Sequence, residues 1–215
     1  MSYITARREE EKERRRAEIL DAAERWYAKR GWDALTVEQV ARSARLSRAL
    51  VYVYFRDKDD LLLGIGERAM GLLRDRFAGA VATHAKGLDQ VEAIGRAYMG
   101  YAHEFPHYFD FCTRFQSRPP VAGGGSNEDA CQAAGDQAIG IIVRAIEAGV
   151  ADRSIRANIG DPMLLAVTLW AFTHGVIQLA MVKANDLARF GVAIPEFSGN
   201  ALGLLRALRQ TAPPP

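Results

Sequence analysis

The stretch TVEQVARSARLSRALVYVYFRDK, residues 36–58, decides the fold. After Thr36 come Val37, Val40, Ala41 and Ala44, whose spacings of three and four put them on one helix face. Gln39 stands three residues after Thr36, so hydroxyl and amide satisfy two orphan backbone N–H groups reciprocally. Leu46 closes a short turn as an apolar plug, and Ser47 caps a second helix. Leu50 or Val51, with Phe55, gives that helix its inner side. Arg48, Ala49, Tyr52, Val53 and Tyr54 are left outside. The charged run Arg56-Asp57-Lys58-Asp59 breaks the pattern, and a third helix opens at Asp57 or Lys58, before Leu61-Leu62-Leu63. Two short helices on a tight turn, the second with Arg and Tyr outward, form the arrangement that sets a helix into the major groove of DNA.

Upstream, residues 14–30 predict a helix with Ile19, Ala22, Ala23, Trp26 and Tyr27 on its apolar face. Gly31 is its natural stop, because glycine tolerates the left-handed cap. Residues 1–60 therefore read as a three-helix domain, with residues 1–13 as a flexible tail. The mixed-charge run from Arg7 to Arg16 reads either as a solvated helix extension or as a basic arm toward DNA; its interleaved glutamates oppose the second.

Residues 19–63 resemble the N-terminal domain of the TetR/AcrR family of bacterial transcriptional regulators. The resemblance rests on Ile19-Leu20-Asp21-Ala22-Ala23, on Gly31-Trp32, on Leu35-Thr36-Val37, and on the second motif helix, residues 47–55, leading into Lys58 and Leu61-Leu62. Two departures stand out: the family usually has glycine in the turn where this chain has Arg45, and often threonine where it has Leu50. Leu50 donates no hydrogen bond, so it reads a thymine methyl or nothing.

The resemblance implies a homodimer whose two recognition helices read a palindromic operator in double-stranded DNA. Thr36, Arg48, Ala49, Leu50, Tyr52, Val53, Tyr54 and Lys58 are its expected DNA-binding residues. Arg48 suits guanine, since a guanidinium bonds N7 and O6 together. Tyr52, Tyr54 and Lys58 suit phosphate, with Thr36 as a further contact. Glu38 lies where relatives often touch DNA; facing solvent is its expected role here.

The chain has 215 residues, 49% apolar and 25% charged, the proportions of an ordinary globular protein. Net charge is only +2. Residues 1–60 hold 14 Lys plus Arg against 12 Asp plus Glu, and the rest is balanced at 14 each. Bulk charge therefore cannot bind nucleic acid, and a few placed cations must do so. Cys112 and Cys131 lack metal-ligand spacing and are expected as reduced thiols. On the criterion of about 18 apolar residues without charge, no membrane span is expected. The N-terminus has no apolar signal region, and the cytoplasm is the expected compartment.

Residues 61–212 read as a larger helical domain for ligand binding and dimerisation, so the expected fold is all-α. Helices are expected at 61–82, 91–103, 108–115, 128–149, 161–182 and 196–210, with loop over 117–127 and an extended tail at 213–215. Gly87 is expected to break the chain. Asp161-Pro162 signals a helix start. The helix after it is apolar nearly all round, so one side needs a partner, and a second copy is the economical one. Trp170-Ala171-Phe172-Thr173-His174-Gly175 resembles a pattern in the family's dimer-forming helices; Phe172, Gly175, Leu179, Leu202 and Leu205 are the expected interface. Tyr98, Tyr101, Phe105, Phe109, Phe111, Phe115, Trp170 and His174 read either as core or as the wall of a pocket for a small hydrophobic or amphipathic ligand.

No cofactor, no metal site and no enzyme activity are expected. His103 and His107 are four apart, but Pro106 interrupts their helix, and no catalytic triad or Gly-rich phosphate loop is evident. A repressor released by its ligand is the expected function. An activator or a ligand-independent regulator would carry the same residues. A helical ligand-binding protein or enzyme without DNA binding would instead bury Arg48, Tyr52 and Tyr54 or pair them internally.

Overall fold

The computed structural model describes residues 3–115 and 127–209. Among them ten α-helices follow one another: α1 (Tyr3–Arg30), α2 (Val37–Ala44), α3 (Arg48–Tyr54), α4 (Lys58–Ala82), α5 (Gly87–Glu104), α6 (Pro106–Arg114), α7 (Asn127–Ala151), α8 (Pro162–Val182), α9 (Ala184–Arg189) and α10 (Ile194–Leu204). A 3-10 turn, Leu205–Leu208, follows α10. The chain divides into two compact units: Met1–Met70 with Pro106–Ala133, and Gly71–Phe105 with Ala134–Pro215. α6 thus belongs to the same unit as the helix-turn-helix.

In the first unit the core holds Ile19, Leu20, Ala22, Ala23 and Tyr27 of α1, Val37, Val40 and Ala41 of α2, Val51 of α3, Phe55, and Leu61, Leu62 and Ile65 of α4. The capping box forms: the Thr36 hydroxyl accepts from Gln39 N at 3.3 Å and Gln39 Oε1 accepts from Thr36 N at 3.1 Å. Ser47 Oγ accepts from Leu50 N at 3.1 Å. Between these helices Arg45 sits at φ 58 and ψ 40, the left-handed conformation that glycine adopts without steric cost.

Asp57 caps α4 by accepting from Asp60 N at 2.8 Å. The Asp60 carboxylate is buried and fully engaged: it accepts from Arg56 N at 2.9 Å and from the Asn127 amide at 3.0 Å. Asn127 in turn accepts from Arg16, which also bonds Glu67 at 2.7 Å and lies 5.7 Å from the Phe55 ring centre. A buried carboxylate is tolerable only with such partners. The network ties α1, α4 and the first residue of α7 around the end of α3.

α6 docks on two of these helices. Tyr27 donates to Asp110 at 2.9 Å, and burial together with that carboxylate pushes the phenol pKa well up. At Gly66 of α4 the Phe111 ring approaches so closely that a Cβ there would stand 2.1 Å from Cζ. Cys131 is buried, which pushes its thiol up to about 12; Cys112 is half-buried, and neither forms a disulfide.

The second unit is helix on helix around Leu88, Val91, Ile94, Tyr98 and Tyr101 of α5, Ile142 and Ile146 of α7, and Phe77 of α4. Gly87 does not break the chain but begins α5. It is buried where a Cβ would stand 2.0 Å from the Gly149 nitrogen, so only glycine admits that approach. Asp161 caps α8 by accepting from Met163 N at 2.8 Å.

Several expectations need correction. α1 begins at Tyr3, so the described part of the 1–13 tail is helical, with pairs such as Arg14–Glu11 along it. α9 was not foreseen, and the last helix ends at Leu204 rather than continuing to residue 210. The loop expected at 117–127 lies outside the described residues except for Asn127, which begins α7; the 213–215 tail lies outside them too. α8 carries no Asp, Glu, Lys or Arg over 21 residues, with a mean hydropathy of 1.6 over an 18-residue window. By length and composition it could cross a membrane, contrary to the expectation that no stretch would qualify. The buried core helix of a soluble protein passes the same test.

Gly66→Ala is expected to destabilise the protein by about 1–3 kcal/mol, because the added methyl must displace a buried ring. A urea titration followed by circular dichroism measures it. A midpoint raised by the usual glycine-to-alanine helix gain, about 1 kcal/mol, would contradict the packing described.

Candidate nucleic-acid interface

A helix of seven residues has little stability of its own, so α3 is held by what it buries. Val51 and Phe55 are sealed in the core, while Val53 is 75% and Tyr52 45% exposed. Arg48 and Ala49 are exposed, and Leu50 and Tyr54 are half-buried. The residues expected outside therefore form one outward surface, except that Tyr54 turns partly inward; of the two inner candidates Val51 is the sealed one and Leu50 is only half-buried. Arg48 lies over the Tyr52 ring, 6.0 Å from its centre, and hydrogen bonding to the Tyr52 side chain raises the guanidinium pKa further. Arg48 and Tyr52 are thus paired with each other on the surface and are not withdrawn into a core.

Lys58 is held differently from the expectation of a free phosphate clamp. Its ammonium donates to the Trp32 carbonyl at 2.9 Å and lies 5.8 Å from the Trp32 ring centre. The first residue of α4 is thereby fastened to the turn after α1, and one of its three N–H donors is used. Thr36 is exposed with its oxygen engaged in the cap, leaving the O–H hydrogen for another acceptor. Glu38 is exposed and accepts from Arg42 at 3.3 Å.

The eight expected pocket residues are divided between the two units. Phe109, Phe111 and Phe115 belong to the first unit, where Phe109 and Phe111 are core and Phe111 stacks on Phe115 at 5.4 Å. Tyr101 and Phe105 pack together in the second unit at 6.0 Å. Tyr98 and Trp170 do line a cavity, with Phe77, Val91, Ile94, Gly95, Ile142, Leu169, Thr173 and Leu205. Its volume is about 20 Å³, room for about one water. His174 adjoins it, sharing a 2.7 Å hydrogen bond between Nδ1 and the Tyr98 hydroxyl and meeting Trp170 edge-on. Burial lowers the His174 pKa, favouring the neutral ring. A larger groove of about 540 Å³ is lined by Arg74, Gln90, Gln137 and Arg144 around Ile141 and alanines; none of the expected pocket residues reaches it.

Of the expected interface residues, Phe172 and Leu179 are exposed and Gly175 half-buried, all on one side of α8 with Leu164 and Val182. Leu205 is buried and Leu202 half-buried. Both lie against Gly95 of α5 within their own unit, while Leu204 is 57% exposed.

Residues 19–65 match the family described as bacterial regulatory proteins, tetR family, and residues 91–190 match a tetracyclin repressor-like C-terminal domain. The chain belongs to the TetR family. Among curated relatives, the HTH-type transcriptional regulator HbdR of Aromatoleum sp. (strain CIB) is 44% identical over 50 residues, 23% of this chain and 22% of that protein. The stretches shared with the curated relatives cover between 22% and 41% of their lengths. Among solved structures, a protein of unknown function from Rhodococcus sp. RHA1 superposes with a TM-score of 0.75 at 24% identity, covering 92% of this chain and 96% of that one. FadR from Bacillus subtilis, solved in complex with stearoyl-CoA, gives 0.67 at 17%, covering 89% and 97%. The likenesses to these two structures show that the fold is shared.

The sequence missed the supports of α3 and of the start of α4: Asp60, Asn127, Arg16 and Trp32. Asp60, at the third position of a helix start, was a readable capping signal; its partner Asn127, 67 positions away, was not. Lys58→Ala is expected to lower stability by about 1 kcal/mol without DNA present, through loss of a half-buried hydrogen bond and a cation–π contact. Thermal melting of the free protein measures this, and an unchanged melting temperature would return Lys58 to the role of a free phosphate contact.

Proposed function

We propose that this protein is a homodimeric, sequence-specific DNA-binding regulator, a repressor whose release from a palindromic operator is driven by a small hydrophobic or amphipathic ligand. The observation that carries the proposal is the split of α3 into a buried side, Val51 with Phe55, and an exposed side of Arg48, Ala49, Tyr52 and Val53. A helix withdrawn into a core would bury Arg48 and Tyr52; here both are on the surface, and Val53 beside them is 75% exposed. Arg48 reads guanine, while Tyr52, Tyr54, Thr36 and the remaining donors of Lys58 bind phosphates.

The exposed apolar side of α8, with Leu164 at 67% and Val182 at 63%, supports a second copy as its cover. Two-fold symmetry then sets the recognition helices about one DNA turn apart or modestly more. The cavity beside Tyr98, Trp170 and His174 supports a ligand site that widens on binding; a ligand shifts the DNA-binding equilibrium only by its differential affinity for the two states. The stearoyl-CoA complex of the FadR neighbour favours an amphipathic ligand. A regulator of this kind works in the cytoplasm, where its operator is.

Arg48→Ala is expected to relax preference at one base pair of each half-site, costing about 1–3 kcal/mol on the preferred sequence and little on others. Fluorescence anisotropy on matched and single-substituted duplexes at fixed salt measures it; an equal loss on every sequence would make Arg48 a phosphate contact. Sedimentation equilibrium is expected to give a dimer that Leu179→Asp converts to monomer. A wild-type monomer at micromolar concentration would overturn the dimeric part.

A further inference from the structure

The exposed side of α3 is two ridges of different chemistry. One is polar, Arg48 and Tyr52, four residues apart and in contact. The other is apolar, Ala49 and Val53, also four apart and so neighbours on the helix surface. Val53 is more exposed than any other large apolar residue of the helix-turn-helix. It has no donor or acceptor, so it can read no hydrogen-bonding edge of a base. In the major groove the one apolar group that base edges present is the C5 methyl of thymine. Leu50, the residue that the sequence suggests for such a contact, is half-buried and its backbone N–H is occupied by the Ser47 cap.

We propose that Val53, with Ala49 beside it, is a specificity-determining residue that recognises a thymine methyl in each operator half-site, one helix ridge away from the base read by Arg48. This rests on the DNA-reader function proposed above. It assigns the half-site at least one thymine whose value to the complex lies in its methyl group, which a cytosine lacks and a 5-methylcytosine restores.

The test uses the full-length protein and the duplex selected from a random pool. Each thymine is replaced in turn by deoxyuridine, which deletes the methyl and keeps every hydrogen bond. One thymine per half-site is expected to show a loss of about fourfold, or about sixteenfold when both half-sites carry the change, the worth of one buried methyl apiece. Val53→Ala is expected to bind the thymine duplex more weakly and to lose the thymine-over-uracil preference at that position alone. A wild-type protein indifferent to uracil at every thymine overturns the proposal without any variant. So does a Val53→Ala protein that keeps the full preference, since another group then reads the methyl. If the pool yields no consensus, the DNA-reader function falls and this inference with it; a consensus without uracil sensitivity removes this inference alone.

Discussion

Seven residues are too few to keep a helix in water, because nucleation costs more than so short a ladder returns. Everything in the first unit follows from the need to hold α3 regardless. Val51 and Phe55 anchor it from below, Ser47 closes its first turn, and the Asp57 and Asp60 caps start α4 directly after it. Arg16 and Asn127 then lock that junction to α1 and to the beginning of α7. The outward residues of α3 contribute almost nothing to this support. They are therefore free to be chosen for what they touch, which is the condition a recognition surface has to meet.

The first unit was legible in the sequence because its determinants are local. A hydroxyl three residues before a glutamine, a serine before an arginine and apolar positions at spacings of three and four report caps and faces directly. Arg45 shows the limit of that legibility: its left-handed conformation follows from the turn, and the residue itself gives no hint of it. What was not legible depends on contacts between distant segments. The aromatic residues of α6 look like pocket lining in one dimension, yet a glycine 45 positions earlier receives Phe111 and a tyrosine on α1 binds Asp110. Lys58 looks like a free cation until the Trp32 carbonyl is brought beside it. Leu202 and Leu205 approach Gly95 inside their own unit, a contact that spacing alone does not reveal.

α8 joins the two themes. Its 21 uncharged residues satisfy a length-and-composition test for a membrane span, and only Ala166, Thr173, Val176 and Ile177 are buried within the chain. Membership of the TetR family gives another account of the same apolarity. A helix covered on one side by its own unit and on the other by a second copy has no solvent face to mark with charge. The proposed dimer thus accounts for a hydropathy pattern that the isolated chain leaves open.

The most direct measurement is selection of bound sites from a random DNA pool by the purified full-length protein, at a stated salt concentration. A two-fold symmetric consensus with constant half-site spacing and a required guanine in each half is the predicted result. Salt-sensitive binding that enriches no sequence would contradict the account, because the outward side of α3 would then be a weak electrostatic surface and not a reader of bases.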